Sequence, residues 1–319
     1  MLMFSPLVIT LLIVEGVIVF FAFVAFVFSI KILRNYDENL SNSYQFHLAK
    51  SGYLISTIIT FIMCVKIPLF LYFIWTMSAV SFLVPGAMCA AGIVDATEFG
   101  FYLFAFKIIN IFFISGWLLV NFEDFKTKNS KFLKLKFKFF IPIFFLLVLE
   151  FVLEIFHFSG ISLLKPVLCC SEIFKSSSLD KMMFWQDKTF IVVVFFIIYI
   201  LNFISAYFKI DTLMAIFSLG FLLSSIYALI RFFSPYIYEL PTHMCPFCMV
   251  GVEYYFVGYL IYIFIFLGSL PGFFVFILEL LNLKASEILY KISMFSTTIL
   301  TLIFSYYPLF YYFKNGVWL

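Results

Sequence analysis

The stretch TFIVVVFFIIYILNFISAYF, residues 189–208, carries no charged side chain in twenty residues. As an α-helix at about 1.5 Å per residue it is about 30 Å long, the thickness of a bilayer's hydrocarbon core. A membrane β-strand would instead alternate apolar and polar residues over about ten positions. This run does not alternate, so it reads as a transmembrane helix.

Seven further runs read the same way, at about Pro6–Ile30, Tyr53–Val84, Phe101–Val120, Phe139–His157, Leu213–Phe232, Tyr254–Leu281 and Ile292–Phe313. The chain of 319 residues is 65% hydrophobic and only 12% charged, against about 25% charged in soluble domains. That much apolar surface needs lipid as its solvent. The expectation is one all-α integral membrane domain over residues 1–319, a polytopic bundle of about eight spans. The second run is too long for one straight crossing and contains Pro68, so it predicts either a kinked helix or a helix followed by a re-entrant segment. The first run lacks a preceding basic residue and is too long for a signal peptide, so it predicts a retained helix.

Basic residues give an expected orientation. With the N-terminus outside, twelve fall in inner loops: Lys31, Arg34, Lys50, Lys209, Lys284, Lys291 and the six lysines from Lys126 to Lys138. Four fall in outer loops: Lys165, Lys175, Lys181 and Lys188. The positive-inside rule then predicts N-out and C-out, in a cell membrane of the bacterial inner-membrane kind. These charges fall in the loops between spans and so are not a nucleic-acid footprint, and no phosphate-binding glycine loop is present.

With this topology five of the six cysteines share the outer face. Cys89 lies in the first outer loop, Cys169 and Cys170 in the second, Cys245 and Cys248 in the third, and only Cys64 lies in a span. Disulfide chemistry is available on that side. Cys245 and Cys248 form a CxxC in which Pro246 precedes the seventh span. Proline favours a helix's first turn, so Cys245 is expected at a helix N-terminus, where exposed N–H groups favour its thiolate. Cys248, one turn in, is expected to be the less exposed. Cys245 would attack, Cys248 would resolve, and Cys89 with Cys169 or Cys170 would form a second relay.

The tetrapeptide Cys-Pro-Phe-Cys resembles the glutaredoxin active-site sequence, although here it joins two membrane spans and follows no strand. A dithiol at the outer mouth of a helix bundle is similar in layout to membrane thiol oxidoreductases of the DsbB and vitamin K epoxide reductase type. That layout implies a quinone or a thioredoxin-like extracytoplasmic partner as the electron acceptor or donor, and Arg231 is then a candidate to hold a quinone oxygen.

Two other readings stay open. His243, Met244, Cys245, Cys248 and Met249 concentrate soft donors that suit copper(I), which would imply a copper-handling partner. Alternatively the cysteines are only structural disulfides in a membrane scaffold. A CxxC closes too short a loop to stabilise much, and five cysteines cannot all pair within one chain.

Ionisable residues also interrupt the spans: Glu15, Lys66, Lys107, and Glu150, Glu154 and His157 on one face of the fourth. The expected pairing is Lys107 with Glu150 and Glu154, with Lys66 reaching toward the inner surface. Glu154 and His157 make a Glu-x-x-His pair of the carboxylate metal-bundle type, but no second copy accompanies it.

An impermeant thiol reagent applied to intact, mildly reduced cells is expected to label the Cys245–Cys248 loop. Labelling that requires the inner face to be opened would reverse the orientation and remove the oxidising compartment on which the redox reading depends.

Overall fold

The structure is a computed structural model and describes residues 2–37, 42–126, 132–167 and 187–319. All of its regular structure among these residues is helical. Lipid supplies no hydrogen-bond partners, so each crossing backbone must satisfy itself, and uninterrupted apolar runs do so as helices.

Among the described residues eight helices are long and apolar enough to span: α1 (Pro6–Asn35), α2 (Ser43–Val80), α4 (Glu98–Lys126), α5 (Leu133–Gly160), α6 (Lys188–Tyr207), α7 (Asp211–Tyr238), α8 (Val257–Leu280) and α9 (Glu287–Asn315). A short helix, α3 (Ala90–Asp95), lies between α2 and α4. Most of these helices outrun the apolar runs that announce them. Helix α2 begins at Ser43, ten residues before its apolar run, because Asn42 caps it by accepting from the Gln45 N–H at 3.0 Å. It continues through Pro68 to Val80, followed by a single 3-10 turn at Ser81–Leu83. Of the two sequence alternatives for this region, the structure has the continuous helix.

The chain divides into two compact units, Met1–Val167 and Leu168–Leu319. In the first, α5 packs against both α1 and α4, and α2 packs against α1 and α4. Ala22 and Ala25 of α1 meet Ile59, Met63, Ile114, Trp117, Phe137, Phe140, Phe144 and Leu147 in one cluster. In the second, α8 lies against α7 and α9, and α6 also contacts both. Gly268 and Gly272 form a Gly-xxx-Gly face on α8. A Cβ on Gly272 would sit 2.2 Å from the Ser218 hydroxyl oxygen and 3.0 Å from the Met214 carbonyl, so only glycine permits this approach of α7 and α8. Large apolar side chains such as Phe20, Phe61, Leu71, Ile197, Ile263 and Phe295 remain exposed along the spans, as lipid-facing positions require.

Lys136 departs from its expected place among the inner-loop charges. It is fully buried in α5, with its Nζ 2.7 Å from the Asp124 carboxylate of α4 and 3.1 Å from the Asn121 side-chain oxygen. Asn121 in turn accepts from Ser56 and donates to Thr60 on α2. Lys136 therefore joins three helices and does not anchor a loop in water.

Lys136→Met is expected to destabilise the protein by about 3–5 kcal/mol, since it leaves the Asp124 charge buried without its partner. Equilibrium unfolding in mixed micelles measures this, and adding Asp124→Asn should recover part of the loss.

Candidate functional site

The CxxC lies in the second unit, on the connection between α7 and α8. Helix α7 first passes through a π-helical turn at Leu229–Phe233, which contains Arg231. The ring of Pro235 would strike the carbonyl of Arg231 in an ordinary α-helix, and the wider turn relieves that clash. The helix ends at Tyr238, and Glu239 turns the chain through a left-handed conformation (φ 54°). Beyond the cysteines come two 3-10 turns, Cys248–Val250 and Val252–Tyr254. Tyr255 and Phe256 then both adopt positive φ, 52° and 57°, before α8 starts at Val257. Two bulky residues in that region cost about 1–3 kcal/mol each.

This corrects the expected setting of Cys245. The seventh spanning helix begins at Val257, well beyond the CxxC, and Cys245 occupies irregular loop. It is not at a helix N-terminus. The expected exposures are also reversed: Cys245 is fully buried and Cys248 is partly exposed.

Local hydrogen bonds hold the loop. The Tyr238 hydroxyl donates to the Cys245 carbonyl, and the Tyr262 hydroxyl donates to the Pro246 carbonyl at 2.6 Å. The Phe247 N–H points at the Cys245 sulfur, 3.4 Å away. The two sulfurs lie within 4.8 Å of each other. Tyr254 stacks edge-on against Tyr238 at 4.6 Å, and burial, with smaller contributions from Cys248 and Glu253, holds its phenol above the ordinary pKa. Tyr254 thus stays a neutral neighbour of the thiols.

The other predicted residues distribute as follows. The His243 ring packs edge-on against Tyr238 at 4.3 Å and does not group with the two thiols. Met249 is fully buried against Gly258, where it fills space in the manner of a core side chain. Met244 is half-buried in the loop. Cys89 belongs to the first unit, where it is buried immediately before α3. Cys169 and Cys170 lie outside the described residues.

The first unit holds a second polar centre, only partly anticipated. Lys107 lies 2.7 Å from Glu150 and 2.8 Å from Glu154, as expected. Lys66 does not reach toward the surface. It is buried, with its Nζ 2.5 Å from Glu15 and 2.8 Å from Glu150. Lys107 also touches Glu15, at 3.0 Å. Asn110 donates to the remaining oxygen of Glu150. Its place one turn after Lys107 was the available sequence signal for that residue.

Comparison of the chain with protein-family models, with curated proteins and with solved structures gives no match.

Tyr238→Phe removes the hydroxyl that holds the Cys245 carbonyl, an interaction worth about 0.5–1.5 kcal/mol. Alkylation of Cys245, followed by mass spectrometry in a Cys248→Ser background, is expected to accelerate roughly two- to ten-fold. An unchanged rate would show that the tyrosine does not control access to the buried sulfur.

Proposed function

We propose that this chain is a membrane thiol–disulfide redox protein whose working pair is Cys245 and Cys248. The observation that carries the reading is the closeness of the two sulfurs, within 4.8 Å, in a loop clamped at adjacent carbonyls by Tyr238 and Tyr262. A staple needs no such clamp, whereas a pair that opens and closes benefits from a backbone that holds the sulfurs near each other when reduced. The bilayer is the setting, with the cysteine loops on the extracytoplasmic side of a bacterial inner membrane.

The greater exposure of Cys248 supports giving it the attacking role and Cys245 the resolving one. The Cys248 thiolate attacks one sulfur of a partner's disulfide, forming a mixed disulfide and releasing the partner's other sulfur as a thiolate. The Cys245 thiolate then attacks the Cys248 sulfur. This closes Cys245–Cys248 and expels the partner as a dithiol once its thiolates take up two protons. The partner gains two electrons and the CxxC loses them. The Phe247 N–H favours the thiolate of Cys245 by donating to its sulfur. The partner is a thioredoxin-like protein. A quinol that gives up two electrons and two protons returns the Cys245–Cys248 disulfide to the dithiol and leaves as the quinone, and Arg231 is the candidate to bind its oxygen.

The copper reading has less support, because the His243 ring does not group with the two thiols and packs on Tyr238, and Met249 packs against Gly258.

Cys245→Ser is expected to trap a mixed disulfide through Cys248, while Cys248→Ser traps much less, on non-reducing gels after rapid acid quenching. The pair in the unchanged protein should titrate above the roughly −300 mV region of inert structural disulfides. A disulfide that resists reduction, with no trapped species in either variant, would reduce the CxxC to a staple. Stoichiometric copper lost in both serine variants would favour the metal reading instead.

A further inference from the structure

The charged centre of the first unit contains one more negative group than its own lysines neutralise. Glu15 of α1, Lys66 of α2, Lys107 of α4 and Glu150 of α5 form a closed set in which each ammonium touches both carboxylates. Two positive and two negative charges cancel, and each carboxylate oxygen receives a hydrogen bond: both Glu15 oxygens from the lysines, one Glu150 oxygen from both lysines and the other from Asn110. This set of four is complete without Glu154.

Glu154 is the fifth group. It lies one turn along α5 from Glu150 and is completely buried. One oxygen is 2.8 Å from Lys107, but neither oxygen receives a directed hydrogen bond. Ionised, it would leave the cluster one negative charge in excess inside an apolar unit, at an effective cost of several kcal/mol. The side chains that face the cluster from the other helices supply no third cation among the described residues. One turn further along the same face stands His157, also completely buried. Its Nδ1 is paired with the Thr97 hydroxyl, and its Nε2 has no hydrogen-bond partner. Gly100 permits the ring to sit there: a Cβ on Gly100 would be 2.7 Å from the His157 Cε1.

We propose that Glu154 is a proton-binding site within the membrane-spanning part of the first unit. Its carboxyl carries one exchangeable proton, which brings the cluster to zero net charge, and His157 Nε2 is the next acceptor along α5. On transfer the Glu154 O–H bond breaks and an Nε2–H bond forms. The Nδ1–H of the imidazole then donates to Thr97, and the carboxylate left behind faces Lys107. A divalent metal fits less well. The lysine nitrogens already occupy the Glu15 and Glu150 oxygens, and two added positive charges would overshoot neutrality. The cavity beside Glu15, Lys66, Lys107, Asn110 and Glu150 has room for about one water molecule. The proposal is independent of the thiol chemistry, which belongs to the second unit.

The test is pH-dependent infrared difference spectroscopy on the full chain in lipid nanodiscs, in sodium and in choline chloride. A protonated-carboxyl C=O band is expected at neutral pH, equal in both salts, lost in Glu154→Gln and kept in Cys248→Ser. His157→Gln should shift the pH at which the band disappears. Thermal unfolding at neutral pH gives a second readout. Glu154→Gln, a neutral mimic of the protonated acid, should leave the midpoint nearly unchanged, while Glu150→Gln should lower it. Three results would each overturn the proposal. One is absence of the band with Glu154→Gln as damaging as Glu150→Gln, or unable to fold. Another is a band that appears only when sodium is withdrawn, which would mark a sodium site. The last is a band that persists in Glu154→Gln, which would place the proton elsewhere.

Discussion

Inside the spans lipid offers no hydrogen-bond partner, and a polar group finds one within the protein or goes without, as the Glu154 oxygens and His157 Nε2 do. The helices are one answer to that demand and the side-chain networks are the other. In the first unit, Lys66 and Lys107 bind Glu15 and Glu150 across four helices, while Lys136, Asp124 and Asn121 join α5, α4 and α2 elsewhere. In the second unit the same role falls to neutral groups. Ser218 donates to Asn202, Asn202 to Ser293, and Ser293 to the Gly268 carbonyl. Apolar contact between helices has little driving force in lipid, since the tails are as apolar as the side chains. These polar links and the close glycine approaches therefore specify which helix faces meet.

The spans were legible because each apolar run exceeds what a soluble helix would bury, and eight of them give eight helices. Their ends were less legible. Hydropathy falls as soon as polar residues begin, whereas the hydrogen-bonded ladder continues as long as a cap supports it, as Asn42 does for α2. Lys136 looked like one of several loop lysines because its partner, Asp124, lies on the preceding helix and nothing in the local sequence connects them. Lys66 was misread for the same reason. Its partners, Glu15 and Glu150, are 51 and 84 residues away.

The CxxC was visible as a motif, but its setting was not. A proline after Cys245 suggested a helix start, yet two 3-10 turns and a left-handed pair of aromatic residues intervene before α8. The features that hold the loop, Tyr238 and Tyr262, come from the flanking helices. They have no sequence signature, because one tyrosine among 19 looks like any other. The surplus carboxylate at Glu154 was equally hidden: three acids and two bases could be counted in the first four spans, but only the contacts show which two acids the bases satisfy.

The π turn in α7 holds one residue more than an α-helical turn. Because the wide turn absorbs that residue locally, Ser234–Tyr238 keeps the phase of a regular helix one residue shorter, and the Tyr238 hydroxyl stays aimed at the Cys245 carbonyl. The regular part of α7 has no such slack. Each residue there turns the chain by about 100° around the axis, so losing one between Asp211 and Ala228 would swing the Tyr238 hydroxyl away from that carbonyl with little change in apolar character. Such a deletion would separate membrane insertion, which needs only the apolar run, from the thiol geometry, which needs the phase.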